Sequence, residues 1–145
     1  MFFIIALVVF FLDQASKFAI ISKMSQGQSI AVLDNIFHIT YIHNAGAAFG
    51  LFANQTSFFI VITLLVITAM VIFYWRLQSK DGILPISLGL IVGGSLGNLV
   101  DRVRFGEVID FLDFRIWPVF NLADSAIVIG AALLGVVLWK MDSKS

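Results

Sequence analysis

Residues 57–75 read SFFIVITLLVITAMVIFYW and contain no acidic or basic side chain. A helix crosses the hydrocarbon core of a bilayer with about 20 predominantly apolar residues, so this stretch is long enough to span it. The whole chain of 145 residues shows the same bias, because 60% of it is hydrophobic and only 12% is charged. Soluble domains are about half apolar and about a quarter charged. The sequence therefore predicts an integral membrane protein.

Further apolar stretches lie on both sides of this segment. The first of them must accommodate Asp13 and Lys17, and we expect it to be retained because no cleavage site of small residues follows it. Basic residues are divided equally between the two sides of the membrane, so their distribution does not identify the cytoplasmic side. We expect one membrane-embedded domain over residues 1–145, with transmembrane helices at 2–21, 57–75, 84–103 and 121–139.

The segment between the first two helices, 22–56, is too polar to lie in lipid. Within it, 30–42 is rich in β-branched and aromatic residues, which indicates two or three short strands. Open sheet edges do not occur inside the hydrocarbon region, so we expect a small sheet at the membrane interface. A second interfacial loop is predicted at 104–120. The predicted fold is thus an α-helical integral membrane protein with four transmembrane helices and a small interfacial β-sheet between helices 1 and 2.

Composition also excludes several classes of site. The chain has no cysteine, which excludes a thiolate metal site and a cysteine nucleophile. Its two histidines, His38 and His43, are five residues apart in an extended segment and therefore face opposite sides. We expect no metal and no cofactor. Nine basic and nine acidic residues cancel, so no net charge favours nucleic acid.

Ionisable residues inside the predicted helices are costly, about 2.5–3.5 kcal/mol each at the bilayer centre, and are therefore functional candidates. Asp13 and Lys17 are four residues apart, so they face the same side of helix 1 and can pair. They form a structural ion pair, or one of them also holds a substrate group. On helix 3, Asn98 and Asp101 face the same direction and Arg102 can extend to the interface. Glycines 93, 94 and 97 permit close approach of a neighbouring helix.

Three more aspartates follow helix 3. Asp110 and Asp113 lie in the second loop, and Asp124 lies at the start of helix 4, where Asn121 and Asp124 could simply cap the helix. Two neighbouring carboxylates share one proton, so one can activate water while the other protonates a carbonyl oxygen. Such a pair hydrolyses peptides without metal, serine or cysteine. The residues alone leave open which two of Asp13, Asp101, Asp110, Asp113 and Asp124 meet.

Two other classes of function compete with hydrolysis. A small proton-coupled transporter or channel would use Asp13, Lys17, Asp101 and Asp124 as a proton relay. A relay needs polar groups through the full bilayer depth, but predicted helix 2 has no residue that ionises at neutral pH. A structural subunit that assembles through the glycines of helix 3 would leave the collection of aspartates and asparagines unexplained.

Five short motifs, in this order along the chain, carry a resemblance to a known family. They are DQASK at 13–17, NAGAAF at 44–49, GGSLGNLVDR at 93–102, VIDF at 108–111 and FNLADSA at 120–126. With them the chain resembles the lipoprotein signal peptidase family, signal peptidase II, also known as aspartic peptidase family A8. The resemblance implies an enzyme of the bacterial inner membrane with cytoplasmic termini, an extracytoplasmic loop between helices 3 and 4, and an active site near the outer face.

The resemblance also implies a chemistry and a substrate. The catalytic pair would be Asp110 and Asp124. The enzyme would act as a monomer in membrane lipid and cut diacylglyceryl-modified prolipoproteins on the N-terminal side of the lipidated cysteine, and globomycin would block it. The residues expected to support the pair or to bind substrate are Asp13, Lys17, Asn44, Gly46, Asn98, Asp101, Arg102 and Asn121.

Overall fold

The structure, a computed structural model, describes residues 1–46, 54–77 and 82–143. It contains four long helices, α1 (Phe2–Lys23), α2 (Thr56–Arg76), α3 (Ile83–Phe105) and α4 (Leu122–Asp142). All four are long and apolar enough to cross a membrane, which confirms the predicted helical fold. Residues 47–49 of the second motif lie outside the described residues.

A three-stranded antiparallel sheet completes the fold. Strands β1 (Ser29–Leu33) and β2 (Phe37–Asn44) form a hairpin between α1 and α2, as predicted. The third strand, β3 (Val108–Asp113), comes from the loop between α3 and α4 and pairs with β2. This strand lies within 104–120, where only a loop was predicted. Its pairing brings two segments together that are more than sixty residues apart in the chain.

Helix α3 is the centre of the bundle and packs against the other three helices. Glycines allow the close approach. A Cβ at Gly93 would lie 2.6 Å from the carbonyl oxygen of Ala6 in α1, and a Cβ at Gly94 would overlap the carbonyl oxygen of Ala123 in α4. The glycines of helix 3 therefore act as small packing residues, as expected in membrane bundles. Helix α2 has no fully buried residue, and partly buried side chains such as Ile67, Met70 and Tyr74 pack one of its faces against the core.

The two ends of the bundle differ in chemistry. At the end where the chain starts and α4 finishes, Phe2, Leu84, Leu88 and Val137 form an apolar core, and Tyr74 stacks on Phe2 with ring centroids 4.5 Å apart. At the other end the described residues bury polar and charged side chains. They include Asp13, Lys17, Asn98, Asp101, Asp110 and Asn121. The sheet lies at this polar end, because β3 begins where α3 stops.

Candidate active site

Two helix caps, one at the end of α3 and one at the start of α4, determine where the elements of the polar end lie. Gly106 follows α3 with φ +78°, and its N–H donates to the carbonyl oxygen of Arg102 at 3.0 Å. A left-handed residue of this kind ends a helix, and glycine adopts that conformation without a Cβ penalty. The chain then enters β3 at Val108. Helix α4 begins at Leu122 behind the cap residue Asn121. The C-terminal end of α3 and the N-terminal end of α4 therefore both lie beside β3.

Lys17 is buried between two carboxylates. Its Nζ lies 2.8 Å from Oδ2 of Asp13 and 2.7 Å from Oδ2 of Asp101, and its side chain is 2% exposed. The same Nζ donates to Oδ1 of Asn98 at 3.0 Å. An ammonium group has three donors, and all three are used inside the protein. The geometry therefore supports a structural ion pair at Asp13 and Lys17 and leaves no Lys17 donor for a substrate group.

Asp13 joins three helices. Its Oδ1 accepts a hydrogen bond from the backbone N–H of Ala123 in α4 at 3.0 Å. On the α3 side it packs against Gly97, where any added Cβ would overlap the Asp13 carboxylate. The neighbouring Gln14 donates to Oδ1 of Asp101 at 3.0 Å and to the carbonyl oxygen of Gly97 at 3.2 Å. Gln14 was not among the expected site residues, although it lies in the first motif.

Asn98 connects this ion cluster to Asp124. Its Oδ1 accepts from Lys17 and, at 3.1 Å, from Nδ2 of Asn121. These two donors fix the orientation of the amide, so that its Nδ2 donates to Oδ1 of Asp124 at 2.7 Å. The Asp124 carboxylate thus accepts a hydrogen bond from the neutral amide of Asn98, and the buried Lys17 ammonium holds that amide in place.

The start of α4 is capped as the sequence suggested. Oδ1 of Asn121 accepts from the N–H of Asp124 at 2.9 Å, and Oδ2 of Asp124 accepts from the N–H of Asn121 at 3.3 Å. This reciprocal capping box satisfies two free N–H groups of the helix terminus. Nδ2 of Asn121 also donates to Oδ1 of Asp110 at 2.6 Å. Capping and a role at the aspartates are therefore compatible in the same side chain.

Asp110 is almost fully buried, with 1% of its surface exposed. Its Oδ1 accepts from Asn121, and its Oδ2 accepts from Nδ2 of Asn44 at 2.9 Å. Burial, together with the charge of Asp124, raises the pKa of Asp110 to about 7, although the hydrogen bonds from Asn44 and Asn121 oppose this shift. Near neutral pH this carboxyl group therefore holds a proton for much of the time.

Asp110 and Asp124 border the same cavity of about 380 Å³, which we call the aspartate cavity. Arg102 lies at its side, with its guanidinium 4.7 Å over the ring of Phe59 and 3.5 Å from the carbonyl oxygen of Gly46. Besides the two aspartates, the expected site residues that line it are Asn44, Gly46, Asn98 and Arg102.

The remaining aspartates have other partners. Asp101 accepts from Gln14, from the backbone N–H of Ile109 at 3.2 Å, and pairs with Lys17. Asp113 accepts from Thr40 at 2.7 Å and from Arg115 at 2.9 Å. Although burial acts to raise it, the bonds from Thr40 and Arg115 lower the pKa of Asp113. Asp110 and Asp124 are therefore the two carboxyl groups that share the cavity.

Known proteins match this chain over nearly its full length. Residues 5–140 fit the family model Peptidase_A8, described as signal peptidase (SPase) II. A lipoprotein signal peptidase of Halothermothrix orenii is 51% identical, over 98% of this chain and 97% of the relative. Another, of Pelotomaculum thermopropionicum, is 50% identical, over 99% of this chain and 94% of the relative. These relatives give no support to a transporter.

Solved structures agree with the family match. A structure described as a bacterial membrane enzyme, solved by the in meso method at 2.3 Å, superposes with a TM-score of 0.91. It is 36% identical and the match covers 98% of this chain and 89% of that chain. A second such structure, at 1.9 Å, has a TM-score of 0.85 at the same identity and covers 93% of this chain and 90% of that one. The chain therefore belongs to the signal peptidase II family of aspartic peptidases.

Proposed function

We propose that this peptidase removes the signal peptide from prolipoproteins with Asp110 and Asp124 as its catalytic pair. The observation that carries the proposal is the aspartate cavity, which is bordered by the buried carboxyl group of Asp110 and the half-buried carboxyl group of Asp124, each held by neutral amides. The pKa of about 7 at Asp110 supports a pair that carries one proton at neutral pH. The substrate class is that of the relatives, which are named lipoprotein signal peptidases.

The proposed reaction is general acid–base hydrolysis. The ionised member of the pair takes a proton from a water molecule, and the oxygen of that water attacks the scissile carbonyl carbon. The protonated member donates its proton to the carbonyl oxygen. When the tetrahedral intermediate collapses, the C–N bond breaks and the leaving nitrogen takes a proton from one member of the pair. A hydroxyl group of the intermediate gives its proton to the other member as the carbonyl re-forms, so the pair again holds one proton. The two carboxyl groups titrate as a unit, so the proton belongs to the pair rather than to one residue.

The surrounding residues have supporting roles in this proposal. Asn44, Asn98 and Asn121 are neutral donors, so they orient the carboxyl groups and leave the charge of the pair unchanged. Asp13, Lys17 and Asp101 hold Asn98 and the start of α4 from behind the cavity. Arg102 and Gly46 border the cavity, which supports the proposal that they bind the substrate backbone.

The chain is a multi-pass protein of the bacterial inner membrane, and we propose that its polar end faces outward. Because both chain termini lie at the apolar-core end, the termini would then be cytoplasmic. The chain has no cysteine, so single cysteines can report the topology. We expect Asn35→Cys in the β1–β2 turn to react with a membrane-impermeant maleimide in intact cells, and Asp142→Cys to react only after lysis. The opposite pattern would refute the orientation.

The proposal also covers the finer chemistry of the substrate and the inhibitor. The enzyme cuts on the N-terminal side of a diacylglyceryl-modified cysteine, acts as a monomer in lipid, and is blocked by globomycin. An unmodified precursor with the same peptide sequence is the direct control. Equal cleavage of the modified and unmodified precursors would contradict the lipid requirement, and undiminished cleavage in saturating globomycin would contradict the inhibitor assignment.

The decisive experiment compares purified wild type with Asp110→Asn and Asp124→Asn on a diacylglyceryl-modified prolipoprotein. General acid–base groups contribute about 10²–10⁴-fold to rate, and we expect each variant to lose at least that much. Asp113→Asn is the matched control, because Asp113 bonds to Thr40 and Arg115 instead. Circular dichroism establishes that each variant is folded. If a folded Asp110 or Asp124 variant keeps a tenth of the activity, the pairing is wrong and Asp101 is the next candidate.

A further inference from the structure

A hydrogen-bonded group of three side chains lies beside the aspartate cavity and has no part in the proposed mechanism. In it the ring of His43 is held at both nitrogens. Nε2 lies 2.8 Å from the hydroxyl oxygen of Tyr41, and Nδ1 lies 3.1 Å from Oε2 of Glu107. Tyr41 is buried, and His43 and Glu107 are half-buried. We call these three residues the His43 cluster.

The His43 ring and the aspartate cavity lie on opposite faces of the sheet. Consecutive residues of a strand point to opposite faces, so His43 and Asn44 face different sides. Asn44 lines the cavity and donates to Oδ2 of Asp110, and Val108, its partner in the register, lines the cavity as well. His43 is thus joined to the cavity through the backbone that it shares with Asn44.

The His43 cluster ties two strands together at the end of their ladder. Asn44 is the last residue of β2, Val108 is the first residue of β3, and these two residues are paired. His43 is paired with Ile109, so its contact with Glu107, two residues before Ile109, is a diagonal one between the strands. The ends of a strand open more readily than its centre, because fewer contacts hold them. The bond between His43 and Glu107 opposes such opening next to Asn44.

The hydrogen-bond roles within the cluster match a neutral histidine ring. An ionised carboxylate only accepts, so Nδ1 of His43 donates to Glu107. Nε2 of the neutral ring then accepts from the hydroxyl of Tyr41, and both ring nitrogens have partners. The ring also packs against Phe105, the last residue of α3, with ring centroids 6.4 Å apart. Contacts from β2, from the start of β3 and from α3 therefore hold the ring in place.

We infer that the His43 cluster is a positioning element for the reaction, which holds Asn44 in hydrogen-bond contact with Asp110 from the far side of the sheet. The inference rests on the proposed function, because it takes Asp110 as a member of the catalytic pair. The amide of Asn44 is oriented by the N–H of Gly46, which donates to its Oδ1 at 3.0 Å. The His43 cluster supplies a second constraint, on the position of the backbone that carries this amide.

The inference predicts the sign of a measurable change. Burial raises the pKa of Asp110 and the hydrogen bond from Asn44 opposes this shift, so weakening of that bond raises the pKa further. Loss of the Glu107 charge alone would act in the opposite direction, because a nearby negative charge disfavours ionisation of a carboxyl group. The direction of the shift therefore distinguishes positioning of Asn44 from a direct effect of charge.

The first test measures the alkaline limit, the pH above which kcat/KM falls, on the lipid-modified prolipoprotein. One ordinary hydrogen bond is worth about 0.7 unit in the pKa of the carboxyl group that accepts it, and we expect His43→Phe and Glu107→Ala to move the limit upward by roughly half of that. Glu107→Gln keeps an acceptor for Nδ1 and should not move the limit upward. His38→Phe is the matched control on β2, because His38 bonds to Ser29 instead, and it should leave the limit unchanged.

A double variant tests whether His43 acts through Asn44. If it does, His43→Phe adds no upward shift to Asn44→Ala, because the bond that it supports is already gone. A full additional shift in the double variant would refute the inference. A downward shift in Glu107→Ala, no shift in His43→Phe, or an equal upward shift in His38→Phe would refute it too.

A direct titration has a readout that is independent of turnover. The side-chain carboxyl carbons of aspartate are isotopically labelled, and the NMR signal of Asp110 is assigned by its absence in Asp110→Asn. We expect the pKa of Asp110 to be higher in folded His43→Phe than in the wild type, and an unchanged pKa would contradict the inference. Glu107→Ala, at a half-buried position, carries the same test if circular dichroism shows that His43→Phe is unfolded. If Asp110→Asn keeps its activity, the proposed catalytic pair fails, whereas this titration still decides whether the cluster holds Asn44.

Discussion

Removal of the buried cation at position 17 is the sharpest perturbation that the site allows. Lys17→Met keeps most of the side-chain volume but leaves Asp13 and Asp101 buried with no partner cation at 2.7–2.8 Å. Loss of one member of a buried ion pair costs about 3–5 kcal/mol, because the remaining charge stays desolvated. The lost bond to Asn98 adds about 1 kcal/mol. We therefore expect the free energy of unfolding to fall by at least about 3 kcal/mol.

The measurement is unfolding of the purified protein in mixed micelles, with helix content followed by circular dichroism. A second variant separates charge from packing. In Asp13→Asn with Lys17→Met, one of the two carboxylates is gone, so we expect the double variant to be more stable than Lys17→Met alone. The stability effects of mutations at two residues in contact are not additive, and a second substitution that restores stability indicates electrostatic coupling between the two residues. If Lys17→Met lowers the free energy of unfolding by less than about 1 kcal/mol, as is typical for an exposed ion pair, the buried cluster is refuted.

Three further predictions concern the proton of the pair and the packing behind it. Burial and the charge of Asp124 raise the pKa of Asp110 to about 7, so kcat/KM should fall about tenfold per pH unit above pH 7 as the shared proton leaves. A value of kcat/KM that stays constant up to pH 9 would contradict a pair with one proton. Asn44→Ala removes a bond that lowers the pKa of Asp110, so the alkaline limit in the same pH–rate profile should move upward, and a downward move would argue against this sign. Gly97→Ala adds a Cβ against the Asp13 carboxylate and should lower the unfolding midpoint in micelles. Gly135→Ala is the control, because no atom lies within 4 Å of the Cβ that it would add, and it should be neutral or stabilising. Equal midpoints for the two variants would refute the contact between Gly97 and Asp13.

The helical part of the fold was accessible from sequence because it depends on local hydropathy. The stretch 57–75 alone predicts α2, and each of the other helices is similarly marked by an apolar run of membrane-spanning length. Strand β3 was missed, since six residues that are buried on both faces carry no clear alternation. Its pairing with β2 is a long-range event, and nothing near 108–113 in the sequence indicates a partner at 37–44.

Some contacts of the expected site residues could be predicted from sequence, and others could not. Spacing correctly suggested that Asp13 pairs with Lys17, and it suggested that Asn121 caps α4. It did not reveal that Asp101 shares the same lysine, because that contact joins α1 to α3. The choice of Asp110 and Asp124 among five aspartates came from family resemblance, and only the folded chain shows the cavity that these two border. Their catalytic role stays a prediction until the variants are measured.

The bond between Asp13 and the backbone of Ala123 joins the first membrane segment to the last. A chain that enters the bilayer from its N-terminus during synthesis reaches Ala123 only after three helices are in place. Until then α4 is not in contact with Asp13 and Lys17. Asp110 lacks the hydrogen bond from Asn121 and the neighbouring carboxyl group of Asp124. The order of translation thus provides a safeguard, since a nascent or C-terminally truncated peptidase holds only half of the proposed catalytic pair. Proteolytic competence would then arise only at the final insertion step.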